Sequence, residues 1–245
     1  QAAKNINIST ALIPHGYYDW GYKELKQKRL NTCLFDYIFC FGRFDYENAL
    51  LSGALKKDII ITSYPYFEKF LPLSFSKSEK YSKALILIPD IMNISMLERI
   101  EHKMKYLTNV IAILNDLNIS IKGIKTRNIV EVTKITKDNK KIFNYKDQKI
   151  PIISGYDNFD EITKDVDLII GPQSTALIEA GLKGIHYFVY EHSNFSKFTP
   201  SIVSNVYKYL NISNDFKKLK RNLMYRKPFK KNYSVFDFID LKSIS

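Results

Sequence analysis

The stretch from Asp167 to Gly181 contains residue types whose spacing is suited to binding an anion. The apolar run Leu168–Ile170 predicts a short strand, Gly171-Pro172 ends it, and a helical pattern begins at Ser174-Thr175. A helix that starts beyond the carboxyl end of a parallel strand presents free N–H groups and the positive end of its dipole. Two hydroxyl donors there complete a site for a phosphate or diphosphate. The alternative is ordinary N-capping by Ser or Thr.

Other polar residues could complete such a site. Glu179 follows Thr175 by four residues and could accept hydrogen bonds from the ribose hydroxyls of a nucleotide bound near the start of this helix. His192 follows the next predicted strand, which makes it a further candidate for a ligand contact. Lys122, together with Lys125 and Arg127, could meet the phosphates of a donor, although a solvated basic strand end explains these three residues as well.

A second candidate group, His15 with Asp19, lies near the amino terminus. His15 precedes Gly16 after a predicted strand, and an imidazole with an ordinary pKa near ~6.5 suits a general base that deprotonates an acceptor hydroxyl. Asp19 could orient that imidazole. The alternatives are a loop histidine bonded to backbone and a plain turn aspartate.

Several function classes lack their sequence signals. There is no Gly-x-Gly-x-x-Gly after a strand, no P-loop, no His-Glu-x-x-His and no Gly-x-Ser-x-Gly. The two cysteines exclude a disulfide framework and a four-cysteine zinc site. Asp165-Val166-Asp167 imitates a metal-binding pair, but it leads into a strand, at the end of the sheet away from a ligand. We therefore expect neither a bound metal nor a cofactor.

Composition describes a folded, basic chain. Its 245 residues are 45% apolar, which is enough for a core, and its net charge is +12. Eight Lys and Arg and no acidic residue lie within 217–231. That stretch is a solvated face, an anionic membrane surface contact or a polyanion contact, and no nucleic-acid-binding motif favours the last. Without an apolar run of about 18 residues or a leader-like start, we expect a cytoplasmic protein, with the inner face of the cell membrane as a peripheral location.

The order of apolar runs predicts an α/β protein with parallel sheets. Strands are predicted at 11–14, 36–41, 58–62, 84–88, 119–124, 150–154, 167–170 and 185–190, and helices at 46–55, 95–117, 158–164 and 174–182. A hairpin is expected around Asp138-Asn139. The Ser- and Lys-rich segment 70–83 is interpreted as a linker, which gives an acceptor-side domain at 1–75 and a donor-binding domain at 76–245.

These motifs, in this order, resemble the GT-B glycosyltransferases, and most of all the CDP-glycerol glycerophosphotransferase-like group. The likeness covers about residues 11–192 and rests on short motifs: Ile13-Pro14-His15-Gly16, Phe35–Ile38 followed by Gly42, Ile59–Thr62 followed by Ser63-Tyr64-Pro65, Leu85–Pro89, and the Asp167–Gly181 stretch. The chain has the Ser-Thr pair of CMP-sugar transferases but not their His-Pro pair.

The resemblance implies two Rossmann-like domains, the N-terminal one incomplete. It also implies transfer of a sugar or alditol phosphate from a CMP-, CDP- or UDP-activated donor. The acceptor would be a surface polysaccharide of the capsule, teichoic acid or lipopolysaccharide type, or its lipid-linked precursor. Donor contacts would come from Gly171, Pro172, Ser174, Thr175, Glu179, Lys122 and His192, and catalysis from His15 with Asp19. A nucleotide-sugar 2-epimerase-like enzyme and a non-catalytic polyanion- or membrane-binding module are the alternatives.

Overall fold

The computed structural model describes twelve segments of the chain, namely residues 8–13, 35–40, 42, 46, 49–50, 53–62, 80–88, 95–126, 141–172, 174–190, 212–213 and 215–225. These residues form an α/β protein with two compact units. The first unit contains Gln1–Pro72, Pro200–Leu210 and Pro228–Ser245, and the second contains Leu73–Thr199 and Asn211–Lys227. The predicted boundary at residues 75 and 76 falls outside the described residues and stays a prediction, as does the linker over 70–79. The linker was expected to reach residue 83, but Lys83 is the first residue of a strand.

The first unit contains a parallel three-stranded sheet in the order β1-β2-β3. Its strands are β1 (Ala11–Leu12), β2 (Tyr37–Cys40) and β3 (Ile59–Ile61), and a single 3₁₀ turn at Lys56–Asp58 leads into β3. The sheet packs through Ile38 and Cys40 of β2, which are fully buried. All three strands lie within the runs predicted from sequence, since short apolar segments between turn residues favour buried parallel strands.

The second unit is built on a seven-stranded sheet in the order β10-β9-β8-β4-β5-β7-β6. The strands are β4 (Lys83–Leu87), β5 (Ser120–Thr126), β6 (Ile142–Tyr145), β7 (Gln148–Ser154), β8 (Leu168–Gly171), β9 (His186–Tyr190) and β10 (Ile212–Ser213). All neighbouring pairs are parallel except β6 with β7. Numbered within the unit and without β6, the order is 3-2-1-4-5-6, that of a dinucleotide-binding fold. Its strand order therefore reverses between β4 and β8.

Four helices accompany this sheet: α1 (Met96–Asp116), α2 (Phe159–Thr163), α3 (Thr175–Leu182) and α4 (Phe216–Met224). The capping box predicted for α1 is confirmed, because Ser95 accepts from the backbone N–H of Glu98 while the Glu98 carboxylate accepts from that of Ser95. α3 ends at Leu182, and Gly184 beyond it has a φ of 74°, a left-handed conformation that glycine adopts without strain.

The core of the second unit lies between α1 and the sheet. α1 contributes Leu107, Val110, Ile111 and Leu114, spaced so that they share one face of the helix. They pack with the fully buried strand residues Ala84, Ile86, Leu168 and Ile170 and with Leu219 of α4. Among the residues described above, no helix is long and apolar enough to cross a membrane.

The β6–β7 hairpin was not predicted where it occurs. Its two strands are joined by Lys146-Asp147, and Lys146 has a φ of 51°. A two-residue turn of this kind usually carries Asn-Gly or Asp-Gly, so Lys-Asp gave no signal. The turn expected at Asp138-Asn139 lies outside the described residues. Of the helix expected at 46–55, the described residues 46, 49 and 50 are helical, whereas 53–55 are not.

Candidate functional site

The strongest candidate site is the junction between β8 and α3, which lies where the strand order reverses. β8 is hydrogen-bonded to β4 on one side and to β9 on the other. All three strands run in the same direction, so β8 ends at Gly171 on the same edge of the sheet as the carboxyl end of β4. In open α/β sheets, ligands bind outside the carboxyl ends of the strands at this reversal.

Gly171 is required by its packing against β4. It is buried, and a Cβ built on it would lie 2.7 Å from the Cβ of Leu87, the last residue of β4. No side chain fits at that distance without a shift of one strand. The missing side chain thus lets β8 and β4 end close together, and Pro172 follows the last residue of β8 directly.

Ser174 occupies the N-cap position of α3 in an extended conformation, with φ −159° and ψ 157°. Its side chain nevertheless makes no capping hydrogen bond. The Oγ atom is buried and has no hydrogen-bond partner among the described residues. A buried hydroxyl without a partner costs about 1–3 kcal/mol. Ser174 therefore presents an unsatisfied hydroxyl at the amino terminus of α3.

The other helices of the second unit have satisfied amino termini. In α1 the Glu98 carboxylate and Ser95 cap each other, in α2 Asn158 accepts from the N–H of Asp160, and in α4 Asp215 accepts from the N–H of Lys218. α1 and α2 also have acidic residues in the first turn, whereas α3 has none. Among the four described helices, α3 alone thus combines a positive dipole end with neither a side-chain cap nor a nearby carboxylate.

Two further predicted donor contacts, Thr175 and Glu179, lie on α3 itself. Thr175 is the first residue of α3, and its side chain is not among the described ones. Glu179 lies about one turn further along α3, and its Oε1 contacts the Nζ of Lys183 at 3.1 Å. The side chains of Glu179 and Lys183 are each 12% exposed, so this carboxylate is largely enclosed. Lys183 also pairs with Asp160 of α2, which fixes the far end of α3.

Lys122 is not brought together with Ser174. It lies near the start of β5, and its ammonium binds the Asp165 carboxylate, which precedes β8 at the amino edge of the sheet. Lys83 binds the same carboxylate at 2.6 Å. Hydrogen bonds from the two lysines hold the pKa of Asp165 well below its ordinary value, with Lys122 the larger cause. We therefore leave Lys122 out of the site proposed below.

Lys125, three residues later on β5, is at the edge where a ligand would bind. Its Nζ donates to the carbonyl oxygen of Gly155 at 2.7 Å, beyond the end of β7. The sequence could have indicated that Lys125 rather than Lys122 lies at the ligand edge, because the later of two lysines on one parallel strand lies nearer the carboxyl edge. His15, Asp19, Arg127 and His192 lie outside the described residues, so their predicted roles stay predictions.

The chemistry available at this edge is that of anion binding. Within the described segments, no group of three or more His, Cys, Asp or Glu side chains could hold a metal ion. The α3 dipole, the N–H groups at its amino terminus and the Ser174 hydroxyl all favour a negatively charged oxygen.

Comparison with solved structures places this geometry in a known fold. No protein-family model and no curated protein matches the chain. It is similar to UDP-GlcNAc 2-epimerase from Methanocaldococcus jannaschii in complex with UDP-GlcNAc and UDP, with 16% identity, a TM-score of 0.60 and coverage of 99% of this chain and 71% of that one.

S. aureus MnaA in complex with UDP is another match, with 12% identity, a TM-score of 0.55 and coverage of 98% and 66%. The apo lipopolysaccharide outer core galactosyltransferase WaaB matches with 10% identity, a TM-score of 0.53 and coverage of 98% and 67%. The chain thus spans about two thirds of the length of these structures. At these identities the likeness shows the fold, which is α/β with Rossmann-like units of the GT-B type.

Proposed function

We propose that this GT-B-type chain binds a nucleotide-activated donor at the amino terminus of α3 and transfers the activated group to an acceptor hydroxyl. The observation that carries the proposal is the buried Ser174 hydroxyl, which has no hydrogen-bond partner among the described residues. A phosphate oxygen would supply that partner and would also meet the N–H groups and dipole of α3. Two of the structural neighbours were solved with UDP or a UDP-sugar bound, which supports a nucleoside diphosphate as the ligand class.

The proposed reaction moves a sugar or an alditol phosphate from a CMP-, CDP- or UDP-linked donor. The acceptor oxygen attacks the donor carbon or phosphorus, the bond to the nucleotide phosphate breaks, and the nucleotide leaves with the negative charge. α3 stabilises that charge as it develops, which requires no metal ion. The acceptor proton passes to a general base, for which His15, oriented by Asp19, is the candidate on its sequence motif.

The acceptor we propose is a surface polysaccharide or its lipid-linked precursor. This rests on the motif resemblance to the CDP-glycerol glycerophosphotransferase-like group and on the lipopolysaccharide galactosyltransferase among the neighbours. Glu179 is the proposed partner of the ribose hydroxyls, because it lies about one turn of α3 from the phosphate position. His192 is retained as a further proposed donor contact on its position after β9.

A nucleotide-sugar 2-epimerase is the second candidate function. It is supported by the fold match with the Methanocaldococcus jannaschii epimerase at a TM-score of 0.60, just as the transferase is supported by the match with the galactosyltransferase at 0.53. Both candidates require the same nucleotide site, and they differ in whether a second substrate is consumed.

The nucleotide site can be tested by substituting two serines that occupy the N-cap positions of different helices. Because the Ser174 side chain makes no capping bond, Ser174→Ala should leave the melting temperature of the free protein nearly unchanged. It should weaken binding of CMP, CDP or UDP about tenfold or more, the loss expected for a hydrogen bond to a charged oxygen. Ser95→Ala is the matched control: it removes a formed capping box and should cost about 1 kcal/mol of stability without changing nucleotide affinity.

Calorimetric titration and thermal shift with each nucleotide measure both quantities. If none of the three nucleotides stabilises the protein, or if Ser174→Ala binds as tightly as the unaltered chain, the site is assigned wrongly. Loss of stability in Ser174→Ala equal to that in Ser95→Ala would show that Ser174 acts as an ordinary cap.

A further inference from the structure

The helix α4 is fixed to the second unit by one face. Leu219 and Leu223 are buried and belong to the core shared with α1. Asn222, 7% exposed, donates from its Nδ2 to the Oγ of Ser213 in β10 at 3.1 Å. Asp215 caps the helix by accepting from the backbone N–H of Lys218 at 2.6 Å. The orientation of α4 is thus determined by packing and by hydrogen bonds at both ends of this face.

The opposite face of α4 combines cations with exposed apolar groups. Lys217, Arg221 and Met224 follow each other at intervals of four and three residues, which places them on one side of the helix, and all three are exposed. Met224 is 55% exposed, and Tyr225 directly after the helix is 69% exposed. We call these four residues the basic face of α4.

The charge of this face is not neutralised within the described part of the chain. The two carboxylates close to α4 are Asp116, which binds Lys220 at 2.7 Å, and Asp215, which is engaged by the helix amino terminus. The described residues offer no ion pair to Lys217 or Arg221. The sequence continues with four more cations and no acidic residue, namely Arg226, Lys227, Lys230 and Lys231. The net charge of +12 adds a long-range attraction for anionic surfaces.

We propose that the basic face of α4 docks the protein on an anionic lipid bilayer. Lys217 and Arg221 bind lipid phosphates, and the Met224 thioether and the Tyr225 ring enter the boundary between headgroups and acyl chains. An exposed methionine beside the cations favours a bilayer over a nucleic acid, because an apolar side chain gains nothing from a phosphate backbone. The docking is independent of the nucleotide site, since it uses the outer face of a different helix.

Vesicle flotation with the full chain tests this proposal. The unaltered protein should float with vesicles of phosphatidylcholine and phosphatidylglycerol but not with pure phosphatidylcholine, and salt should weaken the binding. Lys217→Glu/Arg221→Glu should lower the affinity for the anionic vesicles at least about tenfold, because each cation near such a surface adds to binding. Met224→Ser, which keeps every charge, should lower it several-fold by removing the apolar contact.

The matched control is Lys141→Glu/Lys149→Glu, which changes the net charge by the same amount at two exposed lysines of the β6–β7 segment. This control should bind the anionic vesicles more tightly than the α4 variant does, and all variants should keep the melting temperature of the unaltered chain. Equal losses in both double variants, or equal flotation with neutral vesicles, would overturn the proposal. Binding to single-stranded polyuridylate that exceeds vesicle binding and is lost in the α4 variant would assign the face to nucleic acid instead.

Discussion

At the residue scale, the candidate site depends on a missing side chain as much as on a present one. Gly171 allows β8 to end against Leu87 of β4, and α3 starts within a few residues of that contact. The atom that a Cβ on Gly171 would meet first is the Leu87 Cβ, next to backbone, so rotation of the leucine cannot relieve the clash. The position of the Ser174 hydroxyl therefore follows from how closely two strands approach.

Gly171→Ala should destabilise the protein by about 1–3 kcal/mol, the usual range for an overpacked core site, and should also weaken nucleotide binding. The cause can be isolated by adding Leu87→Ala, which removes most of the side chain that the new Cβ meets. Urea unfolding of the two single variants and the double variant measures the coupling between them. The double variant should be more stable than the sum of the single losses predicts. Simple additivity would show that Gly171 is needed for another reason.

At the element scale, the two sheets share one arrangement, in which an aspartate just before one strand accepts hydrogen bonds from the residue just before a neighbouring strand. In the second unit Asp167 directly precedes β8, and its carboxylate accepts from the backbone N–H and hydroxyl of Ser82, which precedes β4. In the first unit Asp36 directly precedes β2 and accepts in the same way from Thr10, which precedes β1. Each aspartate thus joins the amino ends of two neighbouring parallel strands and fixes their register.

The stability that such an aspartate contributes can be compared with that of an exposed ion pair by substituting Asp167 and Asp165 in turn. Asp167 accepts from two backbone N–H groups, those of Ser82 at 2.7 Å and Lys83 at 3.0 Å, whereas Asp165 is half-exposed and contacts only lysine side chains among the described residues. Asp167→Ala should therefore cost about 1.5–3 kcal/mol. Asp165→Ala should cost clearly less than Asp167→Ala, because solvent screens an exposed pair of charges. Chemical denaturation of both variants measures the difference, and equal losses would contradict the assigned role of Asp167.

Much of this element order could be predicted because the chain signals it locally. The capping box at Ser95 and the apolar spacing beyond it identify α1 directly, and the aspartate-led apolar runs identify β2 and β8. The Lys146-Asp147 turn could not be predicted, since the residue in the left-handed conformation is a lysine and not a glycine or asparagine. The short strand β10 is missed from sequence too, because two residues give no pattern, and α4 is visible there only as a basic stretch.

At the scale of the whole molecule, the sheet order decides which polar residues can share a site. From sequence, Lys122 is a candidate for the same donor site as Ser174, but the parallel register places Lys122 at the amino edge and Gly171 at the carboxyl edge. Asp165, three residues before β8, binds Lys122 at that amino edge. Contacts across a sheet depend on register, which a single sequence does not encode locally.

The fold as a whole is shared by transferases and epimerases, so it cannot distinguish the two proposed functions, and product analysis must do so. A transferase needs an acceptor oxygen to displace the nucleotide, so incubation with UDP-GlcNAc alone should leave the sugar unepimerised and release UDP only slowly. An epimerase converts the donor without a second substrate. We expect no epimerised sugar by nuclear magnetic resonance of the reaction mixture, with the Ser174→Ala variant as background control. Accumulation of the 2-epimer, abolished in that variant, would keep the nucleotide site at α3 and replace the transferase with an epimerase.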